Sequence, residues 1–180
     1  MLDLATFQTI CNRLAALGFL QDDVAWSEAS KPPTNADDFA LEAIFVICNS
    51  GMKNTVARRI FEKVRDALCQ GRAAGSVFGH VGKSAAMDRI WRDREMLLTE
   101  FLAAEDKLAW CASLPWIGEI TKYHLAKNFG ADVAKPDVHL QRLADAHGVT
   151  PHELCADLAV KTGYRIPTID LLLWGPARMA

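Results

Sequence analysis

Two short segments, LPWIG at 114–118 and PDVHLQR at 136–142, constrain this chain more than anything else in it. Pro115 fixes φ and supplies no N–H, so it ends the helix that precedes it. Gly118 lets the backbone turn sharply and leaves its N–H groups uncovered. Ile120, Tyr123, His124 and Lys127 then recur at spacings of three and four, which predicts a helix over 119–128 closed by Gly130. Asp137 follows Pro136 and precedes Val138, Leu140, Leu143 and Ala144, so it reads as an N-cap at the positive end of a helix dipole. The whole is a tight turn between two helices, a short loop, and an aspartate that opens a third helix.

The rest of the chain is read as helical, with no strand pattern anywhere. Leu4, Phe7, Ile10, Cys11, Leu14 and Leu17 form an amphipathic stripe stopped by Gly18. Phe19 to Asn35 reads as a loop, broken by KPPTN. Asp37 to Ser50 is apolar almost all round and is expected to be central and buried. Thr55 to Gln70 is the next helix, GSVFGHVG at 75–82 a loop, and Lys83 to Glu95 a helix again. Leu97 to Ser113 is helical with a break near 104–106. Thr150, Pro151 and Glu153 spell a capping box, whose helix runs to Gly163. IDLLLW at 169–174 starts a last apolar helix, expected to pack on the first one.

Composition bounds the alternatives. At 180 residues and 51% hydrophobic, the chain holds one domain or two small lobes with a real core. No apolar run approaches the roughly 20 residues of a membrane span. The start lacks a basic region, so no signal peptide is expected, and the protein is expected in the cytoplasm. Five cysteines, widely spaced and without a CxxC pair, read as free thiols, and no His/Cys spacing suits a metal. Net charge is −2, unlike a protein that coats nucleic acid. The charge is unevenly spread: residues 51–95 carry 10 basic and 5 acidic side chains, net +5, against 2 and 7, net −5, in residues 1–50. The middle of the chain therefore offers a basic face, although solvation alone explains most of these side chains singly.

The two segments resemble the helix-hairpin-helix (HhH-GPD) DNA glycosylases, whose motif runs LPGxG, a helix, then a loop ending in VDxHxxR. The resemblance implies an all-α, two-lobed fold with the hairpin at about 104–130. Lobe one would comprise about 1–36 plus 137–180, and lobe two about 37–136. It implies a monomer that acts on double-stranded DNA holding a damaged or modified base, nucleoid-associated if the source is a bacterium. Asp137 takes the place of the catalytic aspartate. Backbone N–H groups near Trp116, Gly118 and Thr121, with His139, would hold a phosphate, and Trp116 stands where the family has its first hairpin glycine. That replacement calls for a backbone conformation open to a residue with a Cβ. The carbonyls of Ala112, Leu114 and Ile117 correspond to a monovalent cation site, Na⁺ or K⁺. Asn49, Ser50, Gly51, Met52 and Lys53 fall where relatives wedge into the duplex. Of the clustered cysteines that hold an iron–sulfur cluster in some members only Cys155 is in the right region, so no cluster is expected. Lys83-Ser84 matches a segment that relatives carry.

The chemistry implied is base flipping followed by cleavage of the N-glycosidic bond. A carboxylate beside C1′ stabilises the oxocarbenium-like transition state and orients water, and the helix N-terminus is expected to keep Asp137 ionised. Family members with lyase activity carry a lysine two positions after the second hairpin glycine; that position is Ile120, and Lys122 lies about 200° around the helix. A monofunctional glycosylase is therefore expected, with a lyase working through another lysine, such as Lys53 or Lys83, as one alternative and a non-catalytic DNA-binding hairpin module as the other. Trp26, Glu28, Trp91, Tyr123 and His124 are the candidates for the base pocket. Trp26 reads more as a seal on the core than as a pocket wall, and packing explains the rest as well. The base itself, and a role in repair or in defence against modified phage DNA, stay open.

Overall fold

Regular structure in the computed structural model, which describes residues 1–175, is entirely helical. In chain order the α-helices are α1 Leu4–Ala16, α2 Leu20–Glu28, α3 Ala36–Asn49, α4 Asn54–Cys69, α5 Val81–Arg92, α6 Arg94–Ala103, α7 Lys107–Ser113, α8 Thr121–Asn128, α9 Val138–Ala146, α10 Pro151–Thr162 and α11 Ile166–Trp174. A 3₁₀ turn at Ala74–Ser76 is the remaining regular piece. No helix among the described residues is long and apolar enough to cross a membrane.

The chain divides into two compact units, one of Met1–Pro32 with the chain from Lys127 onward, the other of Pro33–Ala126. The second boundary thus falls inside α8, earlier than the sequence places it. The expected end of lobe one, 176–180, lies outside the described residues.

In the first unit α11 is the hub, packed by α1, α2, α9 and α10. Its Ile169 and Leu172 are fully buried with Phe7 and Leu14 of α1 and with Leu154 and Leu158 of α10. Each such side chain contributes about 1.5–3 kcal/mol by leaving water. The expected pairing of last and first helices is therefore present. The helix starts are chemically specified. Asp3 accepts from Thr6 N–H at 2.8 Å, and Thr150 and Glu153 form the reciprocal box.

Residues 20–28, expected as loop, are instead α2. Its apolar residues are sparse, but its end is fixed by contacts distant in sequence. Glu28 Oε1 accepts from Arg165 N–H at 2.9 Å and from the Thr168 hydroxyl at 2.6 Å. The Arg165 guanidinium donates to the carbonyls of Ser27, Ser30 and Gly130.

In the second unit α3 is central, as its all-round apolar sequence requires; Phe39, Ala43, Ile44, Val46 and Ile47 are completely buried, against α4, α5 and α6. The break expected near 104–106 is made by Lys107, whose ammonium donates to the carbonyls of Phe101, Leu102 and Ala104 at 2.6–2.9 Å and satisfies the end of α6. The stretch 83–95, expected as one helix, is divided at Asp93. α5 also begins earlier than expected, at Val81, because His80 Nδ1 accepts the Lys83 N–H and Gly82 enters the first turn. The loop expected at 75–82 is thereby shortened and partly 3₁₀.

Candidate functional site

In the first unit the loop from Gly130 delivers Asp137 to the start of α9. Gly130 has φ +85°, and a Cβ there would lie 3.0 Å from the Lys31 backbone, so any side chain here is both strained and crowded. The loop is tied from below by Asp170, which is 2% exposed. One oxygen of Asp170, Oδ2, accepts from the Lys127 ammonium at 2.7 Å and from Lys135 N–H at 3.0 Å. Asp137 N–H then closes a tight turn across Pro136 onto the Lys135 carbonyl at 2.8 Å.

Asp137 has the extended backbone of an N-cap, φ −78° and ψ 171°. Its Oδ1 accepts from His139 N–H at 3.0 Å and Leu140 N–H at 3.1 Å. Oδ2 is outside the cap and faces the Lys135 ammonium at 3.8 Å. The carboxylate is mostly covered but not sealed, with 16% of the side chain exposed. Burial pushes the Lys135 ammonium below the ordinary lysine range, an effect that Asp137 opposes and Lys127 reinforces. His139 is exposed; its N–H is taken by Asp137, so any phosphate contact would come from the imidazole.

In the second unit α7 leads into the turn at 114–120 and out into α8. Ile117 N–H bonds the Leu114 carbonyl at 3.2 Å and Lys122 N–H bonds the Gly118 carbonyl at 2.9 Å. The left-handed residue of the turn is Trp116, φ +67°, and not Gly118. The sequence leads one to expect a conformation comfortable for a side chain at 116; instead Trp116 keeps a backbone that suits glycine, at a cost of about 1–2 kcal/mol. Its indole compensates by packing. It lies across Gly82, where a Cβ would come within 2.5 Å of the ring, and meets the His80 imidazole edge-on at 5.0 Å. Trp116 and Gly118 are exposed and Thr121 is half-buried. The Leu114 carbonyl already accepts one hydrogen bond, so a cation held with Ala112 and Ile117 would use its second lone pair.

The segment 49–53 is the turn between α3 and α4. Gly51 has φ +71°, and Met52 N–H bonds the Asn49 carbonyl at 3.1 Å. Beneath it Lys83 is 4% exposed and donates to the Ser50 carbonyl at 2.5 Å. Burial lowers the affinity of Lys83 for its proton. The nearby Cys48 thiol is pushed up to about 11, also by burial. Lys83 is therefore a strut for this turn and not an available amine. Lys53 is exposed.

The five pocket candidates are divided between the two units. Trp26 and Glu28 belong to the first unit, and Trp91, Tyr123 and His124 to the second. Trp26 is 53% exposed, so it does not seal the core. Glu28 is engaged in holding the start of α11. Trp91 carries the Arg94 guanidinium over its ring at 4.4 Å. Tyr123 and His124 are half-buried on the first turn of α8, with the Lys122 ammonium 5.6 Å from the Tyr123 ring centroid. What sequence reasoning missed is the charged chain Lys127–Asp170–Lys135–Asp137; the four residues are separated by up to 43 positions and follow no motif.

Neither protein-family models, nor curated proteins, nor solved structures give a match to this chain. Its function rests on the chemistry of its own residues.

Proposed function

We propose that this protein is a DNA glycosylase that excises a damaged or modified base from double-stranded DNA by hydrolysis, with Asp137 as the carboxylate at the reacting centre. The observation that carries this reading is the division of labour in that carboxylate. Capping a helix needs one oxygen, and Oδ1 supplies it; Oδ2 is free of the cap, in a side chain 16% exposed, on a loop braced by a buried ion pair. The strained turn at Trp116 supports it, because an L-residue held in a left-handed conformation marks a backbone shape kept for its own sake. Such a turn at the entry to α8 suits a DNA phosphate.

In the proposed reaction the base leaves as positive charge develops at C1′ of the deoxyribose. The Asp137 carboxylate stabilises that charge and orients water, which adds at C1′ and leaves an abasic site. The hairpin carries Ile120 where a displacing amine would stand, so excision is the work of water. A monovalent cation bound by the hairpin carbonyls would fix the turn electrostatically and take no part in the chemistry.

The test uses end-labelled duplexes, each with one altered base, scored as total strand breaks after hot alkali. The wild type is expected to cleave at one class of altered base. Asp137→Asn is expected to lose about 10²–10³-fold in rate. Its unfolding midpoint should scarcely move, since asparagine caps a helix as well as aspartate. Full activity in Asp137→Asn overturns the assignment.

A further inference from the structure

Between Ile169 and Leu172, both core residues, α11 buries an acid: Asp170 is 2% exposed. The Lys127 ammonium, on a side chain 11% exposed, meets its Oδ2 at 2.7 Å. A buried ion pair adds little net stability over apolar side chains of the same volume, because each charge gives up its hydration. What the carboxylate does that an apolar side chain cannot is accept a main-chain N–H. The one it accepts is that of Lys135, at 3.0 Å.

That N–H has a particular place in the chain. Pro136 has none, and the N–H of Asp137 turns back onto the Lys135 carbonyl at 2.8 Å. Lys135 therefore carries the last main-chain donor before Asp137 that anchors the loop to a helix. The loop is fastened to the start of α11 at three successive points, all within the first unit. The Arg165 guanidinium donates to the Gly130 carbonyl at 2.6 Å, Ile166 N–H to Asp132 at 3.0 Å, and Lys135 N–H to Asp170. The first two hold the beginning of the loop. The third holds the residue on which Asp137 turns.

We propose that Asp170 is a positioning residue for base excision, which sets where the Asp137 carboxylate stands by holding the Lys135 N–H; the proposal rests on the reading of Asp137 as the reacting carboxylate. Asp170 is too deep to touch a substrate. Lys127 supplies the counter-charge that an acid in this core needs. A reacting group displaced by about 1 Å loses roughly 10²-fold in rate. A duplex held through its phosphates is bound as before, because those contacts lie elsewhere. Loss of the acceptor should therefore lower kcat and leave KM in place.

Two double variants separate positioning from folding, since both remove the ion pair. Asp170→Asn with Lys127→Met keeps an oxygen for the Lys135 N–H, and Asp170→Leu with Lys127→Met does not. Excision is measured on end-labelled duplexes with one uracil, hypoxanthine, oxidised guanine, ethenoadenine or hydroxymethylated cytosine, scored after hot alkali, with urea unfolding alongside. The asparagine pair is expected to stay within a few-fold of the wild type. The leucine pair should remain folded and lose about 10²-fold in kcat at an unchanged KM. Added to Asp137→Asn, the leucine pair should cost no further rate, because the group it positions is already gone. Should the leucine pair not fold, Asp170→Glu with Lys127 in place substitutes for it. That change keeps the charges, moves the acceptor by one methylene and should show the same loss in kcat. A leucine pair that excises at the wild-type rate, or an asparagine pair that loses as much as the leucine pair, overturns the proposal and leaves the glycosylase reading intact. A wild type that excises none of these bases sinks both.

Discussion

At the scale of single residues, the loop that carries Asp137 depends on space as much as on charge. Gly130 combines a left-handed backbone with a wall of main chain 3.0 Å from the absent Cβ. Gly163, which ends α10, has a similar φ of +79° but open space around it. Both are in the same unit, so denaturant unfolding compares them directly. Gly163→Ala should cost about 1 kcal/mol, the left-handed penalty less the entropy that alanine removes from the unfolded chain. Gly130→Ala adds overpacking against an unyielding backbone and should cost roughly 2–4 kcal/mol in all. Equal losses would mean that the Lys31 segment gives way. Sequence alone distinguishes these positions poorly. Both read as helix stops, and only the fold shows which one is hemmed in. The same holds for residue 116, where a tryptophan argues against a left-handed turn until Gly82 and His80 are seen to receive its ring.

At the scale of elements, the helices written by apolar period and by cap chemistry were legible, and the one written by tertiary contacts was not. α3 is apolar all round and is buried; α10 is spelled by Thr150, Pro151 and Glu153 and begins there. α2 has neither signal, and its last turn is fixed by Arg165 and Thr168, more than a hundred residues on. The capping box makes a pH-dependent prediction. The bonds from Thr150 N–H and hydroxyl hold the Glu153 carboxyl below its usual 4.5. A carboxyl depressed by folding contributes stability that is full above the unfolded value and is lost as pH falls through the folded one. Glu153→Gln should therefore be less stable than wild type at neutral pH, and the gap should narrow as the pH is lowered below about 4.5. Unfolding curves across that range would show it; a gap independent of pH would place the loss in the geometry of the box and not in its charge.

At the scale of the whole molecule, charge decides how DNA would be held. Motif and spacing pointed to Asp137 and to the hairpin, whereas the ion chain under Asp137 was illegible because it joins α8, the loop and α11 only after folding. The net charge of −2 is legible from the outset and excludes a broad electrostatic grip. One stretch of positive surface lies on α4, where Arg58, Arg59 and Lys63 are exposed while Arg65 is tied to Asp66 at 2.9 Å. A duplex held on that face would meet roughly three phosphates there, with a salt slope near −3. Affinity for an abasic duplex should then fall by about one to two orders of magnitude between about 50 and 200 mM salt. Replacing Arg59 and Lys63 together by alanine should weaken binding at every sequence alike and flatten the slope by about 1–2. The preference among altered bases should stay as it was, because phosphate contacts position a duplex and do not read it. A slope unchanged in the double variant would mean that α4 faces solvent when DNA is bound, and that the phosphates are met by the turn at Trp116 and by His139 instead.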